Sequence, residues 1–149
     1  MRRFFLPAVV ILFLAANARS ADHSRLIGVW RIDTADSPMV DGKVVTSGTL
    51  TIDYHHKLIY VGETTKFENG DRAVEMECDV DGHEHPLSGT AHYVRAKWDG
   101  STLLATGAVD GGEGSIRLAL SPDGHTLTEI VRHTDHAGQF DRTLVWKRP

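Results

Sequence analysis

From Leu26 to the C-terminus, apolar side chains tend to recur at every second position, in runs of six to eleven residues separated by polar, often glycine-containing turns. A period of two turns one face of each run toward a core and the other toward water, which is the signature of antiparallel strands rather than helices. The clearest run is Arg72–Val80, where Val74, Met76, Cys78 and Val80 share one face and Glu75, Glu77 and Asp79 the other. Strands are predicted at Leu26–Asp33, Val44–Tyr54, Leu58–Glu63, Arg72–Val80, Ala91–Trp98, Leu103–Val109, Ser115–Leu120, Thr126–His133 and Gln139–Lys147. No stretch carries the 3.6-residue apolar period of an amphipathic helix.

Six Asp-Gly or Asn-Gly dipeptides punctuate these runs: Asp41-Gly42, Asn69-Gly70, Asp81-Gly82, Asp99-Gly100, Asp110-Gly111 and Asp123-Gly124. Glycine, and less readily Asn or Asp, accepts the positive φ that tight hairpins require, so each pair flanked by strand-like residues marks a hairpin. The expected fold is all-β: one antiparallel up-and-down β-barrel of eight to ten strands, nine by direct count, since a sheet of this kind must close or leave exposed edges. The segment Thr34–Gly42 has no period and contains Pro38, and it is read as a loop able to lie over one end of the barrel.

The N-terminus follows different rules. Arg2 and Arg3 precede an uncharged run from Phe4 to Ala16, and Ala16-Asn17-Ala18 supplies small residues for cleavage. Residues 1–20 therefore read as a secretory signal peptide, cut after Ala18 or Ser20, with residues 21–149 as the barrel domain. The apolar run is shorter than the roughly 20 residues that span a bilayer, so no membrane insertion is expected and the destination is the periplasm or the exterior.

Removing residues 1–18 takes Arg2 and Arg3 from the 16 basic side chains, so that 14 face 20 acidic ones and the formal net charge falls from −4 to −6. That balance, with basic residues scattered along the sequence, argues against nucleic acid and anionic membrane as partners. Cys78 is the only cysteine. An exported chain with one thiol has no internal disulfide and must rely on its core.

Candidate chemistry concentrates in the last hairpin. If its loop sets position 129 opposite 144, then Leu127, Glu129, Val131 and His133 share an inward face with Phe140, Arg142, Leu144 and Trp146. Charges on such a face need partners. Either Arg142 receives a ligand carboxylate or other anion through two parallel hydrogen bonds, or Glu129 and Arg142, diagonal neighbours across the strands, satisfy each other, or Arg142 reaches water at the rim.

Nine histidines are many for this length. Zinc needs three or four convergent ligands, and no HExxH motif or cysteine pair supplies them locally, so no metal is assigned; His83, His85 and His133 are the first to test. No Gly-x-Ser-x-Gly elbow marks a nucleophile, and no Gly-x-Gly-x-x-Gly or Walker-type loop implies a nucleotide cofactor. Cys78, on an apolar face, reads as an inert core thiol.

Gly28-Val29-Trp30 on the first strand resembles the Gly-x-Trp signature of the lipocalin superfamily. The resemblance implies that Trp30 closes one end of the barrel beneath a basic residue at the end of the last strand, Arg148 or Lys147. More closely, the chain is similar to small secreted bacterial lipocalin-like proteins through Leu26-Ile27-Gly28-Val29-Trp30, Asp81-Gly82-His83-Glu84-His85-Pro86-Leu87-Ser88-Gly89, and Ser121-Pro122-Asp123-Gly124-His125-Thr126-Leu127-Thr128 running on to Val145-Trp146-Lys147-Arg148. This similarity covers essentially the whole mature chain and implies a fold more than a role, because barrels host unrelated functions. It departs from the family in having no place for the helix beside a lipocalin barrel, in showing no helical lid between the first two strands, and in carrying His85 where the secreted proteins often have an aromatic residue.

The leading expectation is an exported, non-catalytic binding protein holding a small hydrophobic or amphipathic molecule. Leu50, Ile52, Met76, Trp98, Phe140 and Leu144, with Glu129, His133 and Arg142, form the candidate barrel interior. The alternatives are a filled barrel that binds a protein through rim loops such as Thr34–Gly42 and Asp81–Gly89, or an enzyme on a small envelope metabolite with Glu129 or a histidine as base.

Overall fold

A computed structural model describes residues 22–86, 92–109 and 112–149. The expected signal peptide at residues 1–20, Leu87–Gly89 of the middle motif, the strand start at Ala91 and the Asp110-Gly111 turn lie outside these residues, as do the side chains of Val109 and Phe140.

A 3₁₀ turn, His23–Leu26, leads into β1 (Gly28–Ile32). There follow β2 (Met39–Val40), β3 (Lys43–His55), β4 (Leu58–Phe67), β5 (Gly70–Asp79), β6 (Glu84–Pro86), β7 (Tyr93–Asp99), β8 (Thr102–Val109), β9 (Gly112–Leu120), β10 (Thr126–Asp135) and β11 (Gly138–Lys147). The nine long strands are those the alternation predicts. β2 and β6, two and three residues long, are too short to carry a period.

The strands form one antiparallel sheet in the order β5-β4-β3-β1-β11-β10-β9-β8-β7-β6, with β2 added on β3. Sequential hairpins build each half. β1 joins them by pairing with both β3 and β11, so the ends of the domain meet in mid-sheet. The sheet curls until β5 approaches β7, where no ladder forms between the two. Across this seam Gly82 N donates to Ala96 O at 2.9 Å, and the barrel is nearly closed.

The Thr34–Gly42 segment is more ordered than a plain loop. Met39 and Val40 pair with Val44 and Lys43 around the Asp41-Gly42 turn, Val40 is buried, and Ser37 Oγ accepts from Val145 N at 2.7 Å. Backbone groups that meet partners need no water, so this segment folds down onto the barrel.

One end of the interior is solid. Trp30, Leu50, Leu118, Leu127, Leu144 and Trp146 are fully buried and pack in one cluster. Trp30 Nε1 donates to Leu26 O at 3.0 Å, which ties the 3₁₀ turn across this end. Arg148 Cζ stands 4.2 Å from the centre of the Trp30 ring, and Arg148 Nε donates to Gly124 O at 3.3 Å. Gly28 holds φ at +130°, a backbone conformation that favours glycine.

Candidate ligand cavity

The other end of the barrel is hollow. A cavity of about 380 Å³ lies between β4–β5 and β7–β11, near the lower end of the range for small-molecule sites, roughly 300–1,000 Å³. Its apolar wall includes Val74, Met76, Val94, Ala105, Ile116 and Val131. Exposed side chains at Asp41, Val74 and Arg132 stand among the lining, and there the cavity meets solvent. Gly107 also lines it; a Cβ at that position would fall 2.3 Å from Tyr93 O, so β7 and β8 pass too closely for a side chain.

Its polar wall is built on Glu63, which continues the inward face of Ile59 and Val61 on β4 and is 5 % exposed. Glu63 Oε1 accepts from Thr65 Oγ1 at 2.7 Å and from Arg72 Nη2 at 2.9 Å, and Glu63 Oε2 accepts from Arg142 Nη2 at 3.1 Å. Two guanidinium groups thus share one buried carboxylate. Arg72 has a second, more distant acid, Asp41 Oδ2 at 3.7 Å, on an exposed side chain at the mouth. The Nε atoms of Arg72 and Arg142 are buried with no hydrogen-bond partner, which buried polar groups rarely tolerate.

Glu129 lies behind this wall, 2 % exposed and outside the lining. Its Oε2 accepts from Trp146 Nε1 at 2.9 Å. Burial, reinforced by the negative charge of Glu63, pushes its carboxyl up to about 8, against the smaller opposing effects of Trp146 and Arg72. The upward shift favours the neutral acid at Glu129, which leaves Glu63 as the acid that faces the two arginines.

The register of the last hairpin is the one expected from its pattern: Leu127, Glu129, Val131 and His133 oppose Trp146, Leu144, Arg142 and Phe140. The pairing of Arg142 is different. Its carboxylate is Glu63 on β4, not Glu129. In a closing barrel, inward side chains from strands far apart in sequence meet across the interior, and they outcompete a diagonal neighbour on the same ladder.

Of the other candidate interior residues, Met76 and His133 line the cavity. Leu50, Ile52 and Leu144 belong to the buried core instead. Trp98 is half-buried, stacked 3.9 Å from the His23 ring and edge-on to Tyr54, and its Nε1 has no partner. Phe140 is placed by its backbone alone, opposite His133.

The three histidines singled out for metal do not gather. His133 pairs with Asp135 at 3.4 Å on the last hairpin, while His85 Nε2 lies 2.9 Å from Asp81 Oδ1. His83 is exposed, its backbone N–H bound to that same Asp81 oxygen. Asp79, Asp81 and His85 do lie within 4.8 Å of one another beside the seam. Cys78 is buried, and desolvation pushes its thiol up to about 11, which makes it unreactive.

Glu63 and Arg72 are the site residues that the sequence reading missed. Both had a signal: Arg72 has the same parity as Val74 and Met76, and Glu63 that of Ile59 and Val61.

No family model matches the sequence, and no curated protein does. Solved structures do resemble it. The REP1-NXSQ fatty acid transporter aligns with a TM-score of 0.58 at 13% identity, covering 85% of this chain and 97% of that one. The wild-type fluorescent protein UnaG aligns at 0.54 with 16% identity, covering 85% and 98%. A secretory abundant heat soluble protein from Ramazzottius varieornatus aligns at 0.55 with 11% identity, covering 84% and 96%. At such identities the likeness is one of fold alone: a nearly closed, antiparallel β-barrel.

Proposed function

We propose that this protein is an exported carrier that binds a small amphipathic acid, with the apolar part of the ligand in the 380 Å³ cavity and its carboxylate on Arg142 and Arg72. The observation that carries this reading is the pair of arginines sharing the single carboxylate of Glu63, each with a buried Nε that has no acceptor. A ligand anion would meet these two guanidinium groups where they line the cavity and balance their charge. Export rests on the signal-peptide pattern of residues 1–20, and the barrel's likeness to a fatty acid transporter is in keeping with an acid of this class.

The cavity weighs against a filled barrel that acts only through its rim. The position of Glu129 outside the cavity wall weighs against its service as a base, since a base must come within hydrogen-bond reach of its substrate. Calorimetric titration with straight-chain carboxylic acids of increasing length, beside primary alcohols of the same length, tests the reading. Acids should bind at one site, with the alcohols at least about tenfold weaker, as expected for loss of a charge-assisted hydrogen bond. Equal affinity for acids and alcohols would remove the role of the arginines, and no binding of either would remove the carrier.

A further inference from the structure

Four basic residues that are far apart in the sequence become neighbours on the fold. Arg95 and Lys97 on β7, Arg117 on β9 and Arg132 on β10 all point outward and are exposed. Strand register explains why. One outer row runs Glu84, Arg95, Thr106, Ser115, Arg132, Asp141, and the next runs Lys97, Leu104, Arg117, Ile130, Thr143. The four cations border a depression of about 280 Å³ on the barrel's outer wall, to which Leu104 and Ile130 contribute apolar surface.

Arg95 and Arg132 are paired, with Glu84 at 2.9 Å and Asp141 at 3.3 Å. Lys97 and Arg117 have no ion-pair partner among the described residues, and they flank Leu104 on either side. Two strands of separation set their backbones about 10 Å apart, close enough for an ammonium and a guanidinium to reach one anion between them. The protein as a whole is acidic, so this face is a local reversal of its charge.

We propose that this groove, which adjoins the cavity and shares Arg132 with its lining, is a second binding site whose cations Lys97 and Arg117 lie outside that lining, and that it takes the phosphoryl group of an amphipathic phosphate ester. Two unpaired cations match the double charge of a phosphate monoester or the single charge and shared oxygens of a diester. A guanidinium binds phosphate oxygens through parallel N–H donors, while lysine adds a point charge. Leu104 and Ile130 would cover the apolar part of the ligand. A peptide strand does not fit, because β8, β9 and β10 are paired on both edges and have no free ladder to extend. A nucleic acid track does not fit either, since Glu84 and Asp141 close both ends of the arginine row. The same chemistry could come from a phospholipid headgroup in a bilayer or from a soluble phosphate ester.

The test uses the mature protein with two probes, hexyl phosphate followed by two-dimensional NMR, and vesicles of phosphatidylcholine with and without added phosphatidylglycerol, whose anionic surface attracts basic clusters. Hexyl phosphate should shift the amides of Lys97, Leu104, Arg117 and Ile130. Lys97→Glu with Arg117→Glu should weaken that binding at least about 25-fold, taking about fivefold for each cation removed. Both side chains are exposed and unpaired, so the variant should fold; Lys97→Gln with Arg117→Gln serves if it does not. Flotation with phosphatidylglycerol vesicles that the variant abolishes identifies a lipid headgroup as the source. Amide shifts without flotation identify a soluble ester. Shifts confined to cavity residues, or binding unchanged in the variant, overturn the outer site.

Discussion

Arg142 and Glu63, 79 positions apart in the chain, meet inside the barrel with Arg142 Nη2 donating to Glu63 Oε2 at 3.1 Å. The contact ties the last strand to the opposite wall and aims a guanidinium at the cavity. Replacing Arg142 by Ala leaves Glu63 with Arg72 and Thr65, so the barrel should stay folded. Affinity for a bound carboxylic acid should fall by about 2 kcal/mol, roughly thirtyfold, the usual worth of a hydrogen bond to a charged group. Calorimetry of the variant checks this, and unchanged affinity in a folded variant would exclude Arg142 as the anion receptor.

Glu63 should be the costlier residue to change. Glu63→Gln leaves two partly buried arginines without their shared charge, and the cost should fall below the roughly 3–5 kcal/mol of breaking a fully buried pair, because both guanidinium groups keep some solvent. Urea unfolding should show a matching fall in midpoint. A double variant, Glu63→Gln with Arg142→Met, should recover part of it, because the second change removes one of the stranded cations. No recovery would mean that the loss arises from packing rather than from charge.

Stability should fall as pH rises from about 4.5 to 8. In the unfolded chain Glu129 has an ordinary carboxyl and loses its proton near the lower limit, whereas in the folded barrel it keeps its proton up to about 8. Across that window the folded state binds more protons than the unfolded state, so the stability that the protonated Glu129 permits is lost progressively with increasing pH. Glu129→Gln can still accept from Trp146 and has no proton to lose. Melting temperature against pH should therefore be flatter in this variant, with the gain over the parent largest at pH 8 and absent at pH 4. Parallel curves for the two proteins would show that Glu129 does not set the slope.

Arg148 over Trp30 should contribute modestly. A cation on an indole face is worth about 1 kcal/mol where one side remains exposed, and Arg148→Ala also removes the bond to Gly124 O. A loss of roughly 4 °C in melting temperature is expected for a domain of this size. Arg148→Leu, which keeps apolar cover on the ring but no charge, should recover less than half of the loss if the cation is what matters.

Much of this fold could be read before its structure was known, because its determinants are local. Period-two alternation and Asp-Gly turns are written in stretches of about ten residues, and they suffice for strands, hairpins and the register of β10 against β11. What was not legible is what the closure of the sheet decides. Arg142 had a visible acid nearby in Glu129, yet its partner came from β4, and nothing within the hairpin encodes how far the sheet curls. Parity shows which face of a strand points inward. It does not show how deep each residue lies, so Leu50, Ile52 and Leu144 fell in the packed end and Met76 beside the cavity. The outer basic groove escaped for the same reason, since Lys97 and Arg117 become neighbours only through the β7-β8-β9 ladder.

Native mass spectrometry of the protein purified from the cells that make it, compared with the same sample after organic extraction, tests the carrier most directly. A stoichiometric adduct that disappears on extraction and ionises as a carboxylic acid is the expected result. A bare protein mass in both samples, together with no uptake of added acids, would contradict a ligand-holding barrel.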